Sequence, residues 1–335
     1  MKNLSGAPLV LVAHAFLCVP IHLSASSIQF VPQDHAIPAA IVWKSTGAEH
    51  VYGFPDIKPN KKGTLMLSAD ALMFSGKLGN RSIQRSSVTA VSAGNQRVEL
   101  WGMRGRILRM TIPDGGGLAA AAVMHHRVDM LTVEFNDDRG ANHAAVFFLP
   151  ANEADRALQN FALIPVAPRK VSETVCQNAS VEPKSVLVSA PNWDQAEVPA
   201  AYRALVYEHV VDRLRRIRDV GPVYRDGEGE SYGGCPQYTV HISIATFKQG
   251  SSVQRAFLGP VGMFVGTTQM KFDVTFTDAL GRLNTREQIT ATMRGESEST
   301  DVADHVAKSL AKHYAAMLKN ADKSNSAKNG VNPAS

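Results

Sequence analysis

The chain has 335 residues, of which 44% are apolar, 19% charged and 7% aromatic, with a formal net charge of +5 from 35 Lys and Arg against 30 Asp and Glu. This composition excludes a wholly disordered or collagen-like chain, and the length suffices for two domains of roughly 130 residues each. The one segment apolar enough to concern a membrane lies at the N-terminus, so a multi-pass membrane protein is excluded as well.

Residues 1 to 25 read as a secretory signal peptide. Lys2 supplies the positive start, and Pro8 to Val19 is an apolar run too short to cross about 30 Å of hydrocarbon at about 1.5 Å per residue. The small residues in Leu23-Ser24-Ala25-Ser26-Ser27 place the cut after Ala25, with a cut after Ser26 as the alternative. A lipobox needs a small residue just before its cysteine, whereas Ala15-Phe16-Leu17 precedes Cys18. The mature chain is therefore expected without a lipid or transmembrane anchor, in the periplasm or at the cell envelope.

Export changes how the cysteines are read. Removal of Cys18 leaves Cys176 and Cys235, an even pair in an oxidising compartment that permits one disulfide. Such a bond would close a loop of about 60 residues and contribute roughly 2 to 4 kcal/mol. Two unpaired thiols are the alternative. No base stands at a recognisable offset around Gly233-Gly234-Cys235-Pro236, so a catalytic thiol is not expected. The charge surplus sits in the first half: residues 26 to 170 hold 16 basic and 12 acidic side chains, and residues 171 to 335 hold 18 of each. So small a surplus does not point to nucleic acid, whose binding calls for clustered Lys and Arg.

After an extended segment, 26–49, residues 50–164 read as an all-β domain closed by a helix. Short apolar runs separated by Gly, Asn and Asp predict strands at 63–68, 72–76, 81–85, 88–93, 96–101, 106–112, 128–135 and 143–149, with a tight turn at Ala69-Asp70. Spacing near ten residues indicates a sandwich or barrel. Ala154, Ala157, Leu158, Phe161 and Ala162 form one stripe between Pro150 and Pro165, which predicts an amphipathic helix. Gly63-Thr64-Leu65, Leu72-Met73-Phe74 and Ser87-Val88-Thr89-Ala90-Val91, followed by the last hairpin and the helix, resemble bacterial pleckstrin-homology or GRAM-like domains over Gly63 to Ile164. Pro113 to Arg127 stands as an insertion against that pattern. The resemblance implies a barrel capped by its helix and a binding module for lipid head groups or peptides. Arg97, Arg104, Arg106 and Arg109 are the candidate anion-binding residues, against the plainer reading of a charged strand edge. His125, His126 and His143 lack the spacing of a metal set, since adjacent residues on a strand point to opposite faces.

Residues 165–198 carry four prolines, with Pro199 directly after them, and little periodicity, and read as a linker with Val186-Leu187-Val188 as one short strand. Residues 199–320 read as an α+β domain, an α/β layer of one sheet and two helices. Its first helix opens after Pro199 and runs to about Arg218, with Leu205, Val206, His209, Val210, Arg213, Leu214 and Ile217 inward and Arg215, Arg216 and Arg218 facing water. Strands follow at about 220–224, 238–244, 268–278 and 283–293, then a helix from Asp301 to Asn320 with Val302, Val306, Leu310, Tyr314 and Met317 inward. Residues 321–335 are polar and unpatterned, which predicts disorder.

Phe247-Lys248-Gln249-Gly250, Gln254-Arg255, Gly259, Gly262 and Gly266, leading into Met270 to Asp278, resemble the uncharacterised envelope family called domain of unknown function 4410 over Ala200 to Leu318. That family supplies no activity to carry over. Gly250, Arg255, Gly259, Gly262 and Gly266 are read as a structural connection, because no Lys and no helix follow the glycines as a phosphate loop requires. No nucleophile elbow, Walker loop or metal spacing appears in the sequence, and no cofactor is called for. The leading expectation is an exported, non-enzymatic binding or assembly protein of the cell envelope, whose partner is an envelope protein or a lipid surface and not nucleic acid. Two alternatives stand beside it: a periplasmic hydrolase using scattered residues such as Asp273, His241 and Cys235, and an anionic lipid or glycan binder working through the arginine hairpin.

Overall fold

The computed structural model describes residues 40–54, 56–77, 79–99, 125–162, 180–192, 197–218, 220–228, 235–248, 268–279, 283–293 and 301–329. All of them belong to one compact unit that begins at Ala39. They form two sheets and three α-helices.

The first sheet contains β1 (Ile41–Tyr52), β2 (Lys61–Ser68), β3 (Ala71–Gly76), β4 (Gly79–Gln84), β5 (Val88–Glu99), β6 (His125–Asn136) and β7 (Asn142–Leu149). Their order is β4-β3-β2-β1-β7-β6-β5, and every pairing is antiparallel. The β2–β3 turn is fixed by Ser68, whose Oγ accepts the Asp70 and Ala71 N–H groups at 3.3 and 3.0 Å. Period-two alternation sends Leu65, Leu67, Leu72, Phe74, Leu131, Val133, Phe147 and Leu149 to one face, where α1 (Glu153–Ala162) covers them with Ala154, Ala157 and Phe161. An apolar side chain of this size stabilises by roughly 1.5 to 3 kcal/mol when fully buried.

The expected barrel does not close. β4 and β5 are the two edges of an open sheet, joined by a single 3-10 turn at Arg85–Ser87 without pairing. Arg85, on that turn, is buried. Its guanidinium donates to the Ser68 carbonyl at 3.0 Å and the Asn160 carbonyl at 3.1 Å, and lies over the Phe161 ring, so it ties α1 to the sheet. The strand at 106–112 falls outside the described residues.

The second sheet holds β8 (Val181–Val188), β9 (Val223–Arg225), β10 (Cys235–Lys248), β11 (Thr268–Asp278) and β12 (Asn284–Met293), in the order β12-β11-β10-β8-β9. β8 runs parallel to both of its neighbours and the other pairings are antiparallel. A parallel β8–β9 pair needs a crossover, and α2 (Ala200–Arg215) supplies it. α3 (Asp301–Asn329) packs against α2 and against β11 and β12.

Three boundaries differ from expectation. β1 begins at Ile41, inside the segment read as extended, and lies centrally between β2 and β7. β8 lies within the stretch read as linker; Pro183 and Lys184, the latter at φ 59°, hide its first half from any alternation test. The last helix continues to Asn329 rather than giving way to disorder at 321, because neither Gly nor Pro interrupts the chain there and extending an existing helix costs far less than starting one.

The division into two self-contained units is not confirmed. Val128, Met130, Ala144, Val146 and Phe148, on the other face of β6 and β7, share one apolar cluster with Tyr202, Leu205, Val206 and Val210 of α2. The same cluster continues through Val240, Ile242, Phe272 and Phe276 of the second sheet to Val306, Leu310 and Tyr314 of α3. α2 is thus packed against both sheets, and β6 and β7 are buried on both faces.

Candidate functional site

A cleft of about 590 Å³ opens where the β1–β2 connection meets the C-terminal half of α2 and the start of α3. One wall is Tyr52, Phe54, Asp56, Lys58 and Pro59, and the other is His209, Asp212, Arg213, Arg215, Arg216 and Asp304. His50, Gly53, Ile57, His143, Glu208 and Arg225 complete the lining.

Local backbone geometry builds the first wall. A register shift between His50 and Tyr52 breaks the alternation of β1, so His50 points among the Phe54, Phe74 and Phe147 rings while Val51 and Tyr52 both turn to the α2 side. Gly53 follows at φ +114°, and a Cβ there would stand 2.0 Å from the Ala144 carbonyl oxygen. Only glycine allows this approach. His50 is fully buried, and its Nε2 accepts the Phe54 N–H at 3.2 Å. Burial lowers its pKa to about 4, outweighing the backbone groups of Lys58 and Tyr52 that favour the charged form.

The deepest charges are Glu208 and Arg225, with side chains 4% and 5% exposed. The Arg225 Nη1 and Nη2 groups donate to Glu208 Oε1 and Oε2 at 2.8 and 2.7 Å, a two-pronged pair. Nη1 also donates to the Asn142 carbonyl at 3.1 Å, and Glu208 Oε1 accepts the Ala144 N–H at 2.9 Å. One pair therefore joins β7 of the first sheet, α2, and β9 of the second. Burial opposes the charge on Arg225, but the facing carboxylate more than offsets it and holds the guanidinium above its ordinary pKa. Tyr207 supports the pair from below the guanidinium, with its ring 5.5 Å away and its hydroxyl accepting the Asp226 N–H at 3.0 Å. Gly227 and Gly140 close the same junction: a Cβ on Gly227 would lie 2.4 Å from the Gly140 carbonyl oxygen.

The outer acids Asp212 and Asp304 are paired as well. Asp212 accepts a short hydrogen bond from the Tyr52 hydroxyl and a contact from Arg216 at 3.3 Å. Arg213 donates to both oxygens of Asp304 at 2.6 and 2.8 Å, and His209 Nδ1 stands 3.6 Å from the same carboxylate. The Tyr52 ring covers His209 with centroids 3.9 Å apart. Burial, aided by Asp212, pushes the Tyr52 hydroxyl up, while burial lowers the imidazoles of His209 and His143.

The residues singled out in the sequence are not those that line this cleft, apart from His143, His209, Arg213, Arg215 and Arg216. Arg104, Arg106 and Arg109 lie outside the described residues, as do Gly250, Arg255, Gly259, Gly262 and Gly266; Arg97 lies on β5 but its side chain is not described. The same holds for the side chains of His125 and His126 on β6, while His143 approaches Asp137 Oδ2 at 3.2 Å. Cys235 is buried and disulfide-bonded, which removes it as a thiolate; Cys176, its expected partner, is outside the described residues. His241 and Asp273 do share a depression of about 210 Å³ on the outer face of the second sheet. There Asp273 is engaged by Arg286 at 2.6 Å and Gln288 at 3.3 Å, and the Arg286 hydrogen bond lowers its pKa. Glu208, Arg225, Tyr52, Asp212 and Asp304 were missed. Glu208 did leave a signal: it stands in Leu205-Val206-Tyr207-Glu208-His209-Val210, where an acid amid apolar neighbours requires a partner.

Among the described residues no helix is long and apolar enough to cross a membrane. No family model and no curated protein matches the chain. Among solved structures, a single-substitution variant of the PelC dodecamer from Paraburkholderia phytofirmans is 15% identical, covering 40% of this chain and 88% of that one at a TM-score of 0.28. The PelC dodecamer from the same organism is 18% identical over 38% of this chain and 85% of that one, with a TM-score of 0.29. An uncharacterised protein is 9% identical over 43% and 99%, with a TM-score of 0.24. Likenesses this low carry no argument about fold or function.

Proposed function

We propose that this chain is an exported, non-enzymatic binding or assembly protein of the bacterial cell envelope that engages its partner through the cleft between the β1–β2 connection and α2. The observation that carries this reading is the state of the cleft's carboxylates: Glu208, Asp212, Asp304 and Asp56 are each held by a cation. Groups fixed in this way form a preorganised charged surface, which favours recognition. The disulfide at Cys235 supports an oxidising compartment, in keeping with the signal read at residues 1 to 25. The resemblances to pleckstrin-homology-like modules and to the envelope family point the same way.

The test is capture from an envelope extract with the secreted protein as bait, beside a variant carrying Arg216→Glu and Pro59→Asp on opposite walls of the cleft. Recovery of an envelope protein or lipid by the natural chain and its loss from the variant is the expected result. Equal recovery by both would move the binding site elsewhere, and turnover of a substrate by the purified chain alone would overturn the reading.

A further inference from the structure

The cleft's charge balance has a remainder. Asp56 is taken by Arg81 at 2.5 Å, Glu208 by Arg225, Asp212 by Tyr52 and Arg216, and Asp304 by Arg213. Every acid of the lining is thereby engaged. Two of its cations are not: among the described residues neither Lys58 nor Arg215 has an ion pair. Arg215 reaches only the Val223 carbonyl, at 3.4 Å, a weak contact for a group with five donors. Arg225, on the same lining, also keeps an Nε–H without an acceptor.

The geometry points to a phosphate monoester group, free or carried on a lipid head, as the ligand that Lys58 and Arg215 hold in this cleft. Two unmatched positive charges suit an anion of about −1.5 to −2. A guanidinium fork grips phosphate oxygens in pairs, and an ammonium adds a point charge. A volume of about 590 Å³ is that of a small-molecule site. The inference rests on the cleft being the binding site proposed above and adds the chemistry of what enters it.

Calorimetric titration with inorganic phosphate, and co-sedimentation with phosphatidylcholine vesicles containing roughly one part in five phosphatidic acid, test it on the full chain. The double variant K58M/R215M should weaken binding to whichever probe is taken by at least about tenfold. R215K should lose less, and R286M, on the second sheet, should lose nothing. Both cleft positions are exposed, so unchanged thermal melting will show that the variants fold. Binding to phosphate assigns a soluble ligand; binding to the acidic vesicles alone assigns a head group. No binding of either probe by the natural chain, or equal binding by the double variant, overturns the inference. If the double variant still captures the envelope partner while neither probe binds, the inference falls and the binding-protein reading stands. If phosphate binds but no partner is captured, the reverse holds.

Discussion

The two faces of the first sheet teach different lessons. Toward α1, the apolar set of β2, β3, β6 and β7 is closed by residues of the first half alone, with Arg85 as the tether. Toward α2, Val146, Phe148 and Met130 meet side chains from the second half, and the Glu208–Arg225 pair sits at the rim of that contact. One face is a private interior and the other is shared. The difference explains why the first half looks like a separate module in sequence and yet is joined to the second in structure.

Breaking the shared face at its charged rim is expected to have the largest effect. Glu208→Ala or Arg225→Ala strands a buried charge and should cost about 3 to 5 kcal/mol in urea unfolding, whereas replacing both by Leu and Met should cost markedly less. A loss below about 1 kcal/mol, the range of exposed pairs, would mean the pair is solvated. Leu205→Ala on α2 should cost about 2 to 5 kcal/mol and speed amide exchange in β6 and β7 as well as in β10 and β11. Acceleration confined to the second sheet would contradict a shared interior.

Acid sharpens the comparison from the private face. His50 stays uncharged in the folded chain down to about pH 4, whereas the unfolded chain takes up that proton near 6.5. Its contribution is therefore complete above pH 6.5 and is lost as pH falls toward 4, on the order of 3 kcal/mol. His143 and His209, also lowered, act in the same direction. His50→Gln keeps an acceptor for the Phe54 N–H and should flatten this acid limb; an unchanged limb would show that His50 protonates freely. The smallest effect belongs to Tyr207→Phe, which strands the Asp226 N–H at a cost of about 1 kcal/mol.

Much of the fold was legible where alternation or the helical stripe is regular: β2, β3, β7, β11, α1 and the inward set of α3 lie where the residue spacing predicts them. β1 was hidden by its own bulges, at Ile41/Trp43, Ser45/Ala48 and His50/Tyr52, which break a period of two. β8 was hidden by Pro183 and a left-handed Lys184. The shared face could have been suspected from Ala144 to Leu149, an unbroken apolar run that signals burial on both sides of a strand. The cleft was largely illegible because its residues come from β1, α2, β9 and α3, up to 254 positions apart between His50 and Asp304. Their partnerships depend on tertiary register, and no local motif encodes it.

Amide exchange of the whole chain across a urea series tests the shared interior most directly. The slowest amides of β6 and β7 and those of β10 and β11 should open at the same free energy and with the same urea dependence, as one cooperative unit. Two separate openings, with the first sheet intact after the second has unfolded, would contradict the account.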